Sequence, residues 1–238
     1  MEMNYIVTDA IYRAAYIDYI GKNVFDTVKG LGGSIETKEK DDRAAIKISL
    51  PDECAKFFRS TLEGAITDVI VIGYKWEYFQ KTVRTAGLND EEYEHLLCAL
   101  IAADYNEDFS YAARRVQGDP YSIDGCFNFT LKPLVEKWAE VAGCIPPSFA
   151  PGQLKDFISY LVNERKGRKI YISDKGVFDA RFVRLKKSRL TGEYDVTKEV
   201  ILSCAGEIEL DAPLGEKNEN YLKNYYGEKI FFGKGYFG

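Results

Sequence analysis

His95 is the only histidine of the chain, and it precedes Cys98 by three residues. On a helix that spacing puts both on one face, where an imidazole could take the proton of a thiol. A working thiolate gains from a helix N-terminus or nearby cations, and needs donors for an oxyanion. Here the neighbours are Glu91 and Glu92, which favour an imidazolium and oppose a thiolate. The pair reads as a surface histidine beside an unreactive cysteine. Zinc fits no better, because no second pair supplies the remaining ligands at a recognisable spacing. No catalytic residue, no metal and no cofactor is expected.

The stronger chemical signal is basic. Arg165, Lys166, Arg168 and Lys169 precede Arg181, Arg184, Lys186, Lys187 and Arg189. If the two segments pair as a hairpin, these cations share one region able to bind phosphate or nucleic acid in a salt-dependent way. The plainer reading is a solvated strand face whose apolar partners Phe182, Val183 and Leu185 point inward, and charge runs usually decorate surfaces. Asp104, Glu107 and Asp108 cluster without the spacing of a catalytic dyad. Gly30-Leu31-Gly32-Gly33 follows a helix and so reads as its C-cap, not a phosphate cradle. Gly233–Gly238 (GKGYFG) resembles an RNA-reading string, but Phe237 replaces the small residue that such a string requires. Trp138, at helical spacing from Leu131, Leu134 and Val135, reads as core.

The elements that must position these residues follow from periodicity. Asn4–Val7 reads as a strand, and Ile11, Ala14, Ala15, Tyr19, Ile20, Val24 and Val28 as one helical face. Ile35–Lys38 and Ala44–Ser49 flank Lys40-Asp41-Asp42 as a hairpin. Pro51-Asp52-Glu53 opens a helix. Asp68–Ile72 has strand composition and would complete a βαββαβ pattern, but no turn residue precedes it, which favours a continuing helix. Asn89 and Glu92 form a capping box before a helix with Tyr93, Leu96, Leu97, Leu100 and Ile101 inward. Further helices are predicted over 107–117, 128–141 and 154–164. Beyond Lys166, strands at 169–173 and 181–185 bracket Asp174-Lys175-Gly176 as a hairpin. Helices over 196–204 and 218–226 then alternate with strands over 207–211 and 229–232, which favours parallel pairing.

The 238 residues are 46% hydrophobic and 29% charged, which is ordinary for a folded chain. Net charge is −5 but uneven: residues 88–150 carry 4 basic and 11 acidic side chains, and 151–238 carry 16 and 13. Steering of the whole molecule to nucleic acid is disfavoured. Five cysteines without a CxxC pair suggest reduced, mostly buried thiols. The N-terminal residues lack a signal-peptide core, and Ala65–Gly73 is about half the length of a membrane helix. Cytoplasmic localisation and no membrane association are expected.

One segment carries a resemblance. Ser122–Lys132 (SIDGCFNFTLK) is similar to the INLEGFINFRLK-type segment of the YtxC-like proteins of endospore-forming bacteria. Lys155–Val162 (KDFISYLV) stands where that family has a second helix, and the order over 200–232 matches helix, strand, helix, strand. The similarity spans roughly residue 90 to the end, with Pro-rich Ile145–Pro151 in place of continuous helix. It implies a role in sporulation and no particular chemistry.

The sequence thus predicts an α+β protein. A strand–helix–hairpin unit (residues 1–87) precedes a central helical region (88–166) and a small mixed β/α module (167–238). The function it suggests is a non-enzymatic interaction protein with a protein partner, meeting it through the acidic middle or the aromatic-rich last segment. A phosphate or nucleic-acid binder using the basic hairpin is the alternative. Oligomeric state is left open.

Overall fold

A computed structural model describes residues 2–118, 120–163 and 167–233. The fold is α+β and divides into two compact units, one of residues 1–75 with 106–139, the other of 76–105 with 140–238.

In the first unit, β1 (Glu2–Ala10), α1 (Ala14–Gly30), β2 (Ser34–Lys40) and β3 (Arg43–Pro51) form the predicted strand–helix–hairpin. β1 and β2 both pair antiparallel with β3, and the hairpin turns at Asp41, whose φ is 55°. Along β1, Tyr5, Val7 and Asp9 are buried while Asn4 and Ile6 are exposed, so one face of the sheet is covered. Ile17, Ile20, Val24 and Val28 of α1 and Phe58, Leu62 and Ile66 of α2 (Asp52–Asp68) are buried in the same core. The Asp68–Ile72 segment is helical, as expected. It enters a π-helical stretch, Val69–Tyr74, that runs directly into α3 (Lys75–Thr82). Every residue of that stretch is buried, which is why its apolar composition imitates a core strand. The fourth strand comes from much later in the chain: β4 (Tyr121–Ser122) pairs parallel with β1.

Two helix assignments are corrected. α4 runs unbroken over Asp90–Ala113, with no separate helix over 107–117. No Gly or Pro interrupts that stretch, and the Asp and Asn that suggested a boundary are tolerated inside a long helix. The helix expected over 128–141 is two, α5 (Ile123–Thr130) and α6 (Lys132–Gly143). Pro133 lacks an N–H for Phe129 and fits only a first turn, so the ladder breaks at Leu131. The Ser122 side chain caps α5 by accepting from Gly125 N.

In the second unit, α7 (Gln153–Asn163) precedes a sheet of order β6-β5-β7-β8. Its strands are β5 (Arg168–Ser173), β6 (Gly176–Asp179), β7 (Ala205–Leu210) and β8 (Ile230–Phe232), with α8 (Val196–Leu202) and α9 (Glu216–Tyr226) between them. β5–β7 and β7–β8 pair parallel, as the alternation of helices and strands predicts. Gly167 and Gly206 permit the close start of β5 beside β7: a Cβ at Gly167 would stand 2.1 Å from Cys204 O.

The hairpin after β5 is real, but its second strand is not 181–185. β6 begins at Gly176, directly after the turn. The Asp179 carboxylate then accepts from Arg181 N and Val183 N, both at 2.9 Å, in a tight turn after which the chain returns along β6, with Asp179 N donating to Val183 O, Leu185 N to Val177 O, and a single antiparallel bridge between Phe178 and Arg184. Phe182 takes a φ of 60° in that loop. An Asp side chain bonding its own backbone shapes this turn and takes Arg181 and Phe182 out of the strand, so that only a short bridge remains of the predicted 181–185 pairing.

Candidate functional site

The predicted basic residues lie around this loop, apart from Arg165 and Lys166, which lie outside the described residues. Lys169 bridges Glu207 and Glu209 at 2.8 and 2.7 Å. Arg181 reaches Asp179 at 3.4 Å. Lys187 Nζ stands 3.6 Å from the centre of the Tyr105 ring, and the Arg184 and Arg189 guanidiniums are 5.3 and 5.9 Å from that of Tyr194. Arg168 is exposed and Lys186 half-buried. Several of these cations thus serve local ion pairs and ring contacts instead of converging on one point. The segment Lys187–Thr191 is itself pinned by buried Glu199, whose carboxylate accepts from Lys187 N, Ser188 N and Ser188 Oγ.

Chemically distinctive side chains converge elsewhere in the second unit, around a half-open cavity of about 220 Å³. Three elements build it. The capping box holds as predicted, with Asn89 Oδ1 accepting from Glu92 N at 2.9 Å and Glu92 Oε2 accepting from Asn89 N at 3.0 Å. It starts α4 so that Glu91, Glu94 and His95 share a face of the first turns. Asp195 caps α8 by accepting from Lys198 N at 2.7 Å, which sets Glu193, Asp195 and Lys198 on the opposite wall. α9 supplies Asn218 and Tyr221, one turn apart.

His95 is not the surface histidine that its acidic neighbours suggested. It is 4% exposed, and its Nδ1 stands 3.2 Å from the Tyr225 hydroxyl. Its ring packs edge-on against Tyr221 and Tyr225, at 4.6 and 5.7 Å between centres. Burial pushes its pKa down to about 4, overriding the attraction of Asp195 and Glu91 for a proton. The imidazole is therefore neutral at pH 7. Glu91 pairs with Lys217, which holds its carboxyl below the ordinary range, and Lys198 meets Glu94 at 3.0 Å. Cys98 is fully buried and its thiol is pushed upward by that burial. The remaining cysteines correct the expectation of mostly buried thiols: Cys54, Cys126 and Cys204 are half-buried and Cys144 is exposed.

No family model, no curated protein and no solved structure matches this chain. Function has to be argued from its own geometry. Among the described residues, no group of three or more His, Cys, Asp and Glu is placed to hold a metal ion. Nor is any helix among them long and apolar enough to cross a membrane.

Two buried polar groups of the first unit escaped the sequence. Asp9 accepts from the Tyr74 hydroxyl at 2.8 and 2.9 Å and from Ala10 N at 2.8 Å, with the Arg13 guanidinium 3.9 Å from the centre of the Tyr74 ring. Burial raises its pKa to about 6 despite those bonds. Beside it Arg43 pairs with Asp124, which that guanidinium holds at about 2. Asp9 is wholly buried and Tyr74 nearly so, leaving no access for a substrate. The second group is Asp108, which takes Lys75 Nζ at 2.7 Å, Lys137 Nζ at 3.0 Å and the Trp138 indole N–H at 2.9 Å. Of the predicted carboxylate cluster, Glu107 also meets Lys137, at 3.0 Å. These are structural networks. A larger hollow of about 600 Å³ lies beside Ala14, Thr37 and Ala44, but short side chains and surface charges line it without convergent chemistry.

Exposed aromatics mark another surface of the second unit. β8 is the terminal strand of its sheet, and Phe231 and Phe232 are 51% and 83% exposed on it. Phe182 and Val183 of the basic loop are also largely exposed.

Proposed function

We propose that this chain is a non-catalytic interaction protein of the sporulation programme, which engages a protein partner along β8. The observation carrying the reading is the pair Phe231 and Phe232, exposed on a terminal strand. A terminal strand offers unpaired N–H and C=O groups to a further strand, and natural edges are usually blunted by charge. This one reads Ile-Phe-Phe. Strand addition with aromatic anchors is a recurrent mode of peptide recognition. The segment Ser122–Lys132, similar to that of YtxC-like proteins, supplies the cellular context. The buried state of Cys98 and Asp9 further favours recognition over bond-making.

The test is capture from sporulating cells with wild type and with a Phe231→Glu/Phe232→Glu variant, whose fold is checked by circular dichroism. The reading expects a partner held by wild type and lost by the variant. Equal capture by both sinks it. The alternative, phosphate or nucleic-acid binding by the basic loop, is carried by Arg168, Arg181, Arg184 and Lys186. It requires retention of nucleic acid on a filter that falls steeply with salt.

A further inference from the structure

One face of the second unit's sheet sets aromatic rings beside cations. Along β5, Ile170 and Ile172 are buried, so Lys169 and Tyr171 stand on the opposite face. In register with Tyr171 comes Phe178 of β6, and then Arg184, joined to Phe178 by the single bridge. Residues directly opposite one another share a face, so these three form a row. The turn after β6 adds a further ring. Phe182 stacks on Tyr171 with 4.8 Å between ring centres and 25° between planes, and it remains 48% exposed.

Phe182 is held there at a cost. Its φ of 60° is a conformation that bulky side chains avoid, and the Asp179 carboxylate maintains it by accepting from Arg181 N and Val183 N. A ring fixed in this way keeps an outward surface ready for a planar guest. The charge around it is largely of one sign. Residues 168–189 hold eight basic and two acidic side chains, in a chain whose net charge is −5. Lys169 is engaged by Glu207 and Glu209. Arg168, Lys175, Arg181 and Arg184 are exposed, and the Arg181 side chain, 82% exposed, reaches Asp179 at 3.4 Å. A single phosphate is best held by cations converging on one point. Cations spread along a strand and its turn suit a chain of phosphates instead.

We infer that the turn 179–184 binds single-stranded nucleic acid. An unpaired base stacks on Phe182, and Arg181, Arg184 and Lys175 take the phosphates beside it. Single strands are bound in this way, by aromatic rings that accept any base and by cations that follow the backbone. A duplex hides its base faces in its own stack, so the exposed ring favours the single strand. An acidic peptide would satisfy the cations and leave the ring unused. Such a site rests on the nucleic-acid reading given above, for which it supplies the ligand, and it owes nothing to the β8 edge.

The experiment follows the fluorescence anisotropy of a labelled oligothymidylate titrated with the whole protein at several salt concentrations. A duplex of the same length, inorganic polyphosphate and polyglutamate serve as competitors. The oligothymidylate should saturate, and its affinity should fall with salt at a log–log slope of about −2, as three phosphate contacts to a single strand require. Phe182→Asn removes the ring but suits a positive φ, so the turn is kept. It should weaken binding about tenfold and leave the salt slope unchanged. Arg181→Gln/Arg184→Gln should make the slope shallower by about 1.4. The inference is overturned if the oligothymidylate does not saturate, or if Phe182→Asn binds it as tightly as wild type. Duplex, polyphosphate or polyglutamate competing as well as unlabelled oligothymidylate also overturns it. Duplex binding that Phe182→Asn leaves intact would sink this site while phosphate binding by the basic loop stands. Partner capture along β8 should survive Phe182→Asn, so the two surfaces fail separately.

Discussion

Protonation of His95 works against the fold, because burial holds its pKa near 4 instead of 6.5. A group whose folded pKa is depressed stabilises the fold above its unfolded pKa, and that contribution is lost as pH falls from 6.5 to 4. The ring should titrate near 4 by NMR, and a midpoint near 6.5 would mean a solvated imidazole. Asp9 acts with the opposite sign. Its folded pKa of about 6 lies above the ordinary 3.8, so its contribution is complete below 3.8 and lost as pH rises to 6. Asp9→Asn keeps the shape and removes the charge. It should raise stability at pH 7 relative to wild type and abolish this part of the pH profile, as measured by urea unfolding from pH 4 to 7. The Lys75–Asp108 pair makes a sharper test, being 0% and 1% exposed. Asp108→Ala removes the buried carboxylate that takes Lys75, Lys137 and the Trp138 N–H and should cost about 3–5 kcal/mol, whereas Lys75→Met/Asp108→Leu should recover part of that loss.

At the scale of elements, side chains that bond their own backbone decide where strands and helices stop. Asp179 is the clearest case. Asp179→Ala removes both acceptors that hold Arg181 N and Val183 N, and hydrogen exchange should show those two amides losing protection while β5 keeps its own. Ser122→Ala removes the cap of α5 and should cost about 1 kcal/mol. Such features explain the uneven legibility of the elements. The capping box at Asn89 and the glycine stop after α1 are chemistry between residues a few positions apart, so they could be read in advance. The segment 181–185 was read as a strand because alternation of Arg and apolar residues imitates one. The acceptor that overrides it lies just outside the alternating run.

For the whole molecule, the order of the chain does not follow its compact units. The first unit needs 106–139 to be complete, because β4 pairs with β1 and because Asp108 and Trp138 surround Lys75. A fragment of residues 1–75 should therefore lack a cooperative thermal transition by circular dichroism, and adding 106–139 in trans should restore one. Parallel pairing of β5, β7 and β8 was foreseeable, since the helices between them need it. Burial of His95 was not. Every residue from His95 to Ala102 is buried, so this part of α4 is enclosed all round and its stripe of leucines marks no special face.

Periodicity, caps and turn residues are local, and from them alone came the α+β class, the N-terminal hairpin and the alternating last module. Which ionisable groups leave water depends on what packs over them from distant parts of the chain. Asp9 meets Tyr74, Lys75 meets Asp108, and His95 meets Tyr225, partners separated by 65, 33 and 130 positions. Desolvation depends on all neighbours in space at once, and for that reason the buried charges and the cavity were decided by the tertiary structure.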